Sequence, residues 1–76
     1  MRIEDPTVQG IYTTRQVVND DGTRAGFALS LTREGWELYR TAKEDRFTRG
    51  WEWLCGVHGR DDADMIAAIE RVRGAA

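Results

Sequence analysis

Apolar and polar side chains alternate along much of the first sixty residues, and this period of two predicts β-strands. Four segments show the pattern or the matching composition: residues 10–18, 26–32, 36–41 and 51–58. The clearest is 26–32, in which Phe27, Leu29 and Leu31 fall on one face and small or polar residues on the other. We therefore expect four strands, the first of them rich in β-branched and aromatic residues.

Turn signals separate these segments and predict how they are connected. The dipeptide Asp21-Gly22 lies between the first two, and Asp-Gly favours a hairpin because glycine accepts a positive φ. Gly35 marks a second turn. Such short connections favour antiparallel pairing of sequential neighbours, so the strands should form a meander. A helix running from Phe47 to Leu54 is the alternative to a strand in that region, because short apolar runs separate the two states poorly.

The C-terminal segment predicts a helix. Its apolar residues recur at helical spacing: Met65, Ile66, Ile69 and Val72. Asp61, Asp62 and Asp64 place negative charge at the start, while Arg71 and Arg73 lie near the end, before Gly74. We predict an α+β fold: a small antiparallel sheet of three to four strands with this amphipathic helix packed on one face. Residues 1–9 are predicted to be an N-terminal arm and 10–74 a single domain, since Pro6 and the lack of periodicity disfavour regular structure in the arm.

Composition narrows the class of protein. The 76 residues allow one core, and a formal net charge of -2 does not provide the positive field on which non-specific nucleic-acid binding depends. Lys43 is the only lysine among eleven basic residues, a bias that suggests GC-rich bacterial or phage coding. No apolar run approaches the length of a membrane span and no secretory signal is expected, so the predicted location is cytoplasmic.

No group of residues predicts catalysis, a metal or a cofactor. Cys55 and His58 have the spacing of half a zinc site, but a closed site needs two more ligands, and residues three apart on a strand face opposite sides. The same geometry argues against a Cys-His nucleophilic pair. The aspartates at the helix start are explained by capping, and no phosphate-binding glycine motif occurs. We therefore expect no enzyme activity.

The aromatic residues are the most informative remaining feature. Strict alternation in 51–58 places Trp53 on the face that the helix covers, so Trp53 and Ile69 are expected to be buried on facing elements. The opposite face is either an ordinary wetted surface or a contact surface, in which tyrosine and arginine are common anchors. The predicted partner-binding residues, on this face and in the adjacent loop, are Tyr12, Tyr39, Arg46, Arg49 and Leu54.

These features favour a non-catalytic module that binds another protein, of the kind that phages and mobile elements use as inhibitors or adaptors of bacterial host complexes. The alternative is a small nucleic-acid-binding domain, with Tyr39 stacking on bases and Arg40, Arg46 and Arg49 contacting phosphates. The mixed charge of the face, with Glu37 and Glu52 expected there, disfavours that alternative. A homodimer that buries the open face is a third hypothesis.

Overall fold

One antiparallel sheet organises the chain, of which the computed structural model describes residues 1–41 and 50–74. In chain order the elements are β1 (Arg2–Ile3), β2 (Thr7–Gln9), β3 (Tyr12–Val18), β4 (Arg24–Thr32), β5 (Gly35–Arg40), β6 (Glu52–Gly56) and α1 (Asp62–Gly74). The strands lie in the order β1-β3-β4-β5-β6, and β2 also pairs with β3. The predicted α+β meander with one C-terminal helix is confirmed, with more strands than expected.

The additional strands lie in the segment that was expected to be an arm. Ile3 pairs with Val17 and Val8 pairs with Thr13, so the chain follows β3 in two short pieces. Pro6 lies between the two pieces, where its missing N–H interrupts no ladder. Ile3 is buried and belongs to the core. Segments this short carry no readable period, and the prediction of an arm without strands was wrong for that reason.

The core lies between α1 and one side of the sheet, which we call the helix side. Its buried members are Ile3, Val17, Leu29, Leu38, Met65, Ala68 and Ile69. Its strand members form two directly paired couples: Ile3 pairs with Val17, and Leu29 pairs with Leu38. The period-two pattern of the strands and the apolar stripe of the helix therefore meet, as predicted.

The start of α1 is held by its own aspartates. The carbonyl of Asp61 accepts a hydrogen bond from Met65 N–H at 3.1 Å, and the Asp64 carboxylate accepts one from Asp61 N–H at 3.2 Å. The first is the opening backbone bond of the helix, and the second is the half of a capping box in which a first-turn side chain reaches back to the N-cap N–H. Gly59 has a φ of 123°, and a Cβ built there would collide with the Asp64 carboxyl group. Glycine is therefore required for the approach of the chain to the helix.

A bulge in β6 changes which side of the sheet its side chains occupy. Leu38 pairs with Cys55, but the next residue, Tyr39, pairs with Trp53, so Leu54 is an extra residue on β6. Such an insertion ends strict alternation, and side chains beyond it change face. Leu54 and Cys55 both pack against the core, whereas Trp53 lies on the opposite side and is 59% exposed. The prediction that Trp53 is buried opposite Ile69 was wrong.

The β3–β4 hairpin confirms the predicted Asp-Gly turn. Gly22 has a φ of 86°, and its N–H donates to the Asn19 carbonyl at 2.9 Å. The Asp21 carboxylate accepts hydrogen bonds from the Thr23 hydroxyl at 2.6 Å and from the Thr23 N–H at 3.0 Å. These two bonds, the hydroxyl first, lower the pKa of Asp21 below its ordinary value because they stabilise the ionised form.

Replacement of Ile69 by alanine should destabilise the protein by about 2–5 kcal/mol, because it removes a fully buried side chain and leaves a cavity between α1 and the sheet. Urea unfolding followed by circular dichroism measures the change. Glu70→Ala, at an exposed position of the same helix, is the control and should have little effect. Equal midpoints for the two variants would contradict the packing of α1 described above.

Replacement of Thr23 by valine should raise the pKa of Asp21 towards its ordinary value, because valine cannot donate the hydroxyl hydrogen bond. A carboxyl-carbon NMR titration of wild type and variant measures the difference. Since the folded pKa is the lower one, the stability linked to Asp21 is present above the unfolded pKa and is lost as pH falls through the folded value. A Thr23→Val variant with an unchanged Asp21 titration would show that the hydroxyl is not the main cause.

Candidate functional site

Arg15 forms the most heavily hydrogen-bonded polar cluster on the helix side of the sheet. Its Nη1 donates to Asp62 Oδ1 at 2.8 Å and lies 3.6 Å from Met65 Sδ, while its Nε donates to the Glu4 carbonyl at 2.7 Å. The side chain is only 11% exposed. Arg15 therefore connects β3, the N-terminal segment and the first turn of α1.

This cluster has a structural role. An arginine guanidinium stays protonated at all ordinary pH values and cannot serve as a proton donor or acceptor in a reaction. Asp62 is favourably placed in the first turn of the helix, where a negative charge opposes the helix dipole, and it also neutralises Arg15. Sequence reasoning missed Arg15, although an arginine two residues before the apolar Val17 on an alternating strand was the available signal.

The opposite side of the sheet carries an aromatic–acidic cluster, which we define as Glu37, Tyr39, Trp51 and Trp53. Tyr39 and Trp53 are directly paired across β5 and β6, which places their side chains next to each other on one face. The rings of Tyr39 and Trp51 are 5.9 Å apart between centroids and inclined at 47°. Three rings therefore lie side by side at this end of the sheet.

Glu37 completes the cluster from the same strand as Tyr39. Its Oε2 accepts a hydrogen bond from Trp53 Nε1 at 3.0 Å. The residue paired with Glu37 is Gly56, and a Cβ built there would lie 3.3 Å from the same oxygen. The absence of a side chain at Gly56 thus leaves room for the carboxylate to reach the indole of Trp53.

Small side chains border the cluster on the neighbouring strand. Ala28 pairs with Tyr39, and Ser30 pairs with Glu37. Both residues are buried, yet neither belongs to the core cluster beneath α1. On this side of the sheet the aromatic rings therefore border buried small side chains, while Trp53 itself is exposed.

The predicted partner-binding residues do not all lie at one place in the structure. Tyr39 is in the cluster and half-buried, as expected. Tyr12 is on the same side and 48% exposed, but Gln16 is the β3 residue in the row of Tyr39, and Tyr12 lies about 13 Å further along that strand. Leu54 was placed on the wrong side by strict alternation, since the bulge turns it towards the core. Arg46 and Arg49 lie outside the described residues.

Trp53 and Trp51 are the functional candidates that sequence reasoning missed on this face. Strict alternation predicts a core position for Trp53, because a bulge cannot be read from an alternating pattern. Within residues 1–41 and 50–74, Trp51 Nε1 is a buried side-chain donor with no hydrogen-bond partner. Gly56, a glycine within the strand pattern, was the sequence signal that pairing near Trp53 is irregular.

In the described part of the chain, the remaining residues that could bind a metal or act in catalysis do not lie close together. Cys55 packs beside the core, whereas His58 is exposed in the loop before α1. No group of three or more histidine, cysteine, aspartate or glutamate side chains is placed to hold a metal ion within residues 1–41 and 50–74. In the same ranges, no helix has the length and apolar character needed to cross a membrane.

A shallow groove of about 520 Å³ lies beyond the start of α1, bordered by Leu31, Trp36 and Val57.

Comparison with known proteins does not supply a role for the chain. No protein-family model, curated protein or solved structure matches it. Its function must therefore be inferred from the aromatic–acidic cluster and from the charges that surround it.

Replacement of Arg15 by alanine should destabilise the fold by about 1.5–3 kcal/mol, because charged hydrogen bonds to Asp62 and to the Glu4 carbonyl are lost. Asp62→Ala should cost less, since that side chain is more than half exposed. Chemical unfolding of both single variants and the double variant isolates their coupling. Arg24→Ala, an exposed arginine on β4, is the control. Additive effects at Arg15 and Asp62 would contradict the proposed pairing.

Proposed function

We propose that the chain is a non-catalytic protein-binding module whose contact surface is the sheet side opposite α1, centred on the aromatic–acidic cluster. The observation that carries this proposal is the exposure of Trp53, 59% of whose surface faces solvent although it lies within strand β6. Exposed tryptophan beside tyrosine is typical of the residues that contribute most to protein–protein binding.

The cluster is also preorganised for binding. Trp53 is held by its hydrogen bond to Glu37, and Tyr39 by its contact with Trp51. Side chains that are already ordered lose less conformational entropy on association, which leaves more of the contact energy as affinity. Strands also position such residues more firmly than loops do. These properties support a surface that serves as a contact site rather than one that is merely wetted.

Charge disfavours the alternative of a nucleic-acid-binding domain. Glu37 sits among the aromatic rings, where a phosphate chain would be repelled. Arg40 pairs with Phe27, whose side chain contacts the core on the helix side, and the Arg40 guanidinium lies 3.7 Å from the Glu52 carboxylate. The arginine next to Tyr39 in sequence is therefore directed away from the aromatic rings. The net charge of -2 adds to this argument.

The finer proposal concerns the class of partner. An arginine-rich, lysine-poor composition is typical of GC-rich bacterial and phage genes, and the small size suits an inhibitor or adaptor that acts by occupying a surface. We propose a protein of a bacterial host complex as the partner. A homodimer that buries the aromatic face is the competing arrangement, and the experiment below distinguishes it.

Trp53→Ala and Tyr39→Ala should each weaken partner binding by about 2 kcal/mol or more, because they remove central aromatic contacts. The wild-type chain and each variant serve as bait in a nuclease-treated bacterial lysate, and captured proteins are identified by mass spectrometry. Calorimetry with the purified partner then measures the affinity. Glu70→Ala, on the outer side of α1, is the matched control and should capture the partner like wild type.

Three outcomes would contradict the proposal. Capture that is lost with Glu70→Ala but retained with both aromatic variants would place the contact on the helix. Capture that occurs in an untreated lysate but is lost in the nuclease-treated one would favour the nucleic-acid alternative. A concentration-dependent dimer in sedimentation, abolished by Trp53→Ala, would show that the face binds a second copy of the chain.

A further inference from the structure

We infer that the aromatic–acidic cluster receives one cationic side chain, a guanidinium or ammonium group, from the partner protein; this inference rests on the proposed function and names the chemistry of its contact. Four side chains carry it: Glu37, Tyr39, Trp51 and Trp53. They combine the two features that stabilise a cation at a protein surface, aromatic faces and a carboxylate.

The aromatic rings supply the first feature. A cation is attracted to the electron-rich face of an aromatic ring within about 6 Å of its centroid, and tryptophan is the strongest of the three aromatic types. Tyr39 and Trp51 are inclined to each other at 47°, so their faces are not stacked flat together. Trp53 is the cross-strand neighbour of Tyr39 and leaves more than half of its surface open. The rings thus form a surface that a flat or compact cation can approach.

The carboxylate of Glu37 supplies the second feature. It bears a full negative charge, and its bond to Trp53 Nε1 uses Oε2, which leaves Oε1 able to accept a hydrogen bond from a partner. The same bond fixes the carboxylate beside the indole. A cation resting against Trp53 would therefore lie within reach of a charge-assisted hydrogen bond.

The arginines on neighbouring strand positions do not compete for this place. Arg40 follows Tyr39 in sequence, but it pairs with Phe27 and so lies on the helix side of the sheet. Its guanidinium lies next to the Glu52 carboxylate. Arg15 lies on the helix side, where Asp62 neutralises it. Among these described residues the negative charge of Glu37 has no basic partner, which complements a positive group brought by another protein.

The test uses the intact chain and short peptides, so it does not require the natural partner. The probes are acetyl-Gly-Arg-Gly-amide and the lysine equivalent, with the neutral citrulline peptide as the isosteric control. The Trp53 indole N–H resonance, which reports on the bond to Glu37, is followed by NMR during titration. We expect a saturable shift with at least one cationic peptide and a much smaller one with citrulline.

Two variants identify the groups responsible. Glu37→Gln keeps an oxygen that can accept the Trp53 hydrogen bond but removes the charge, and it should weaken cationic-peptide binding about tenfold. Glu52→Gln removes a carboxylate from the neighbouring strand at a place outside the cluster and should leave binding unchanged. Equal binding of citrulline and arginine peptides, equal weakening by both variants, or no saturable shift with either cation would overturn the inference.

These failures are distinguishable from failure of the proposed function. If no cationic peptide binds, but Trp53→Ala still abolishes capture of a partner, the contact surface stands and its proposed chemistry is wrong. If cationic peptides bind but no partner depends on Trp53 or Tyr39, the proposed function fails instead.

Discussion

One helix covers one side of a sheet that has two sides, and this constraint governs the rest of the molecule. The thirteen residues of α1 span about 20 Å, whereas the nine residues of β4 span about 30 Å. The helix buries its apolar stripe on Leu29 and Leu38 and cannot reach the opposite side. Side chains on that side lie outside the core beneath α1: Ala28 and Ser30 are buried there, whereas Trp53 is exposed.

The β6 bulge decides which side receives the aromatic bulk. Without the extra residue, Trp53 would share a side with Leu38 and be packed beneath or beside the helix. With it, Leu54 and Cys55 contribute to the core while Trp53 joins Tyr39. The core loses little, because Leu54 is also apolar. A single unpaired residue thus moves a large aromatic side chain from the helix side of the sheet to the opposite side.

The two sides of the sheet also differ in how their charged side chains are paired. On the helix side, Arg15 is covered and satisfied by Asp62 and by the Glu4 carbonyl, so its charge contributes to the attachment of α1. On the opposite side, Glu37 is held by an indole N–H, which leaves its negative charge available to an approaching group. The helix side therefore carries a covered arginine that is neutralised by Asp62, whereas Glu37 has no basic partner among the described side chains. The first stabilises structure, and the second supports our proposal for recognition.

By itself the sequence determined the α+β class, the hairpin at Asp21-Gly22 and the capped helix, because each depends on neighbours in the chain: side-chain period, a glycine with positive φ, and charges in the first turn. It also placed Tyr39 correctly. Only the tertiary structure decided the side of Trp53, the core position of Leu54 and the burial of Arg15. Those outcomes depend on how one strand registers against another and on what covers a face, and both are long-range properties that no local period encodes.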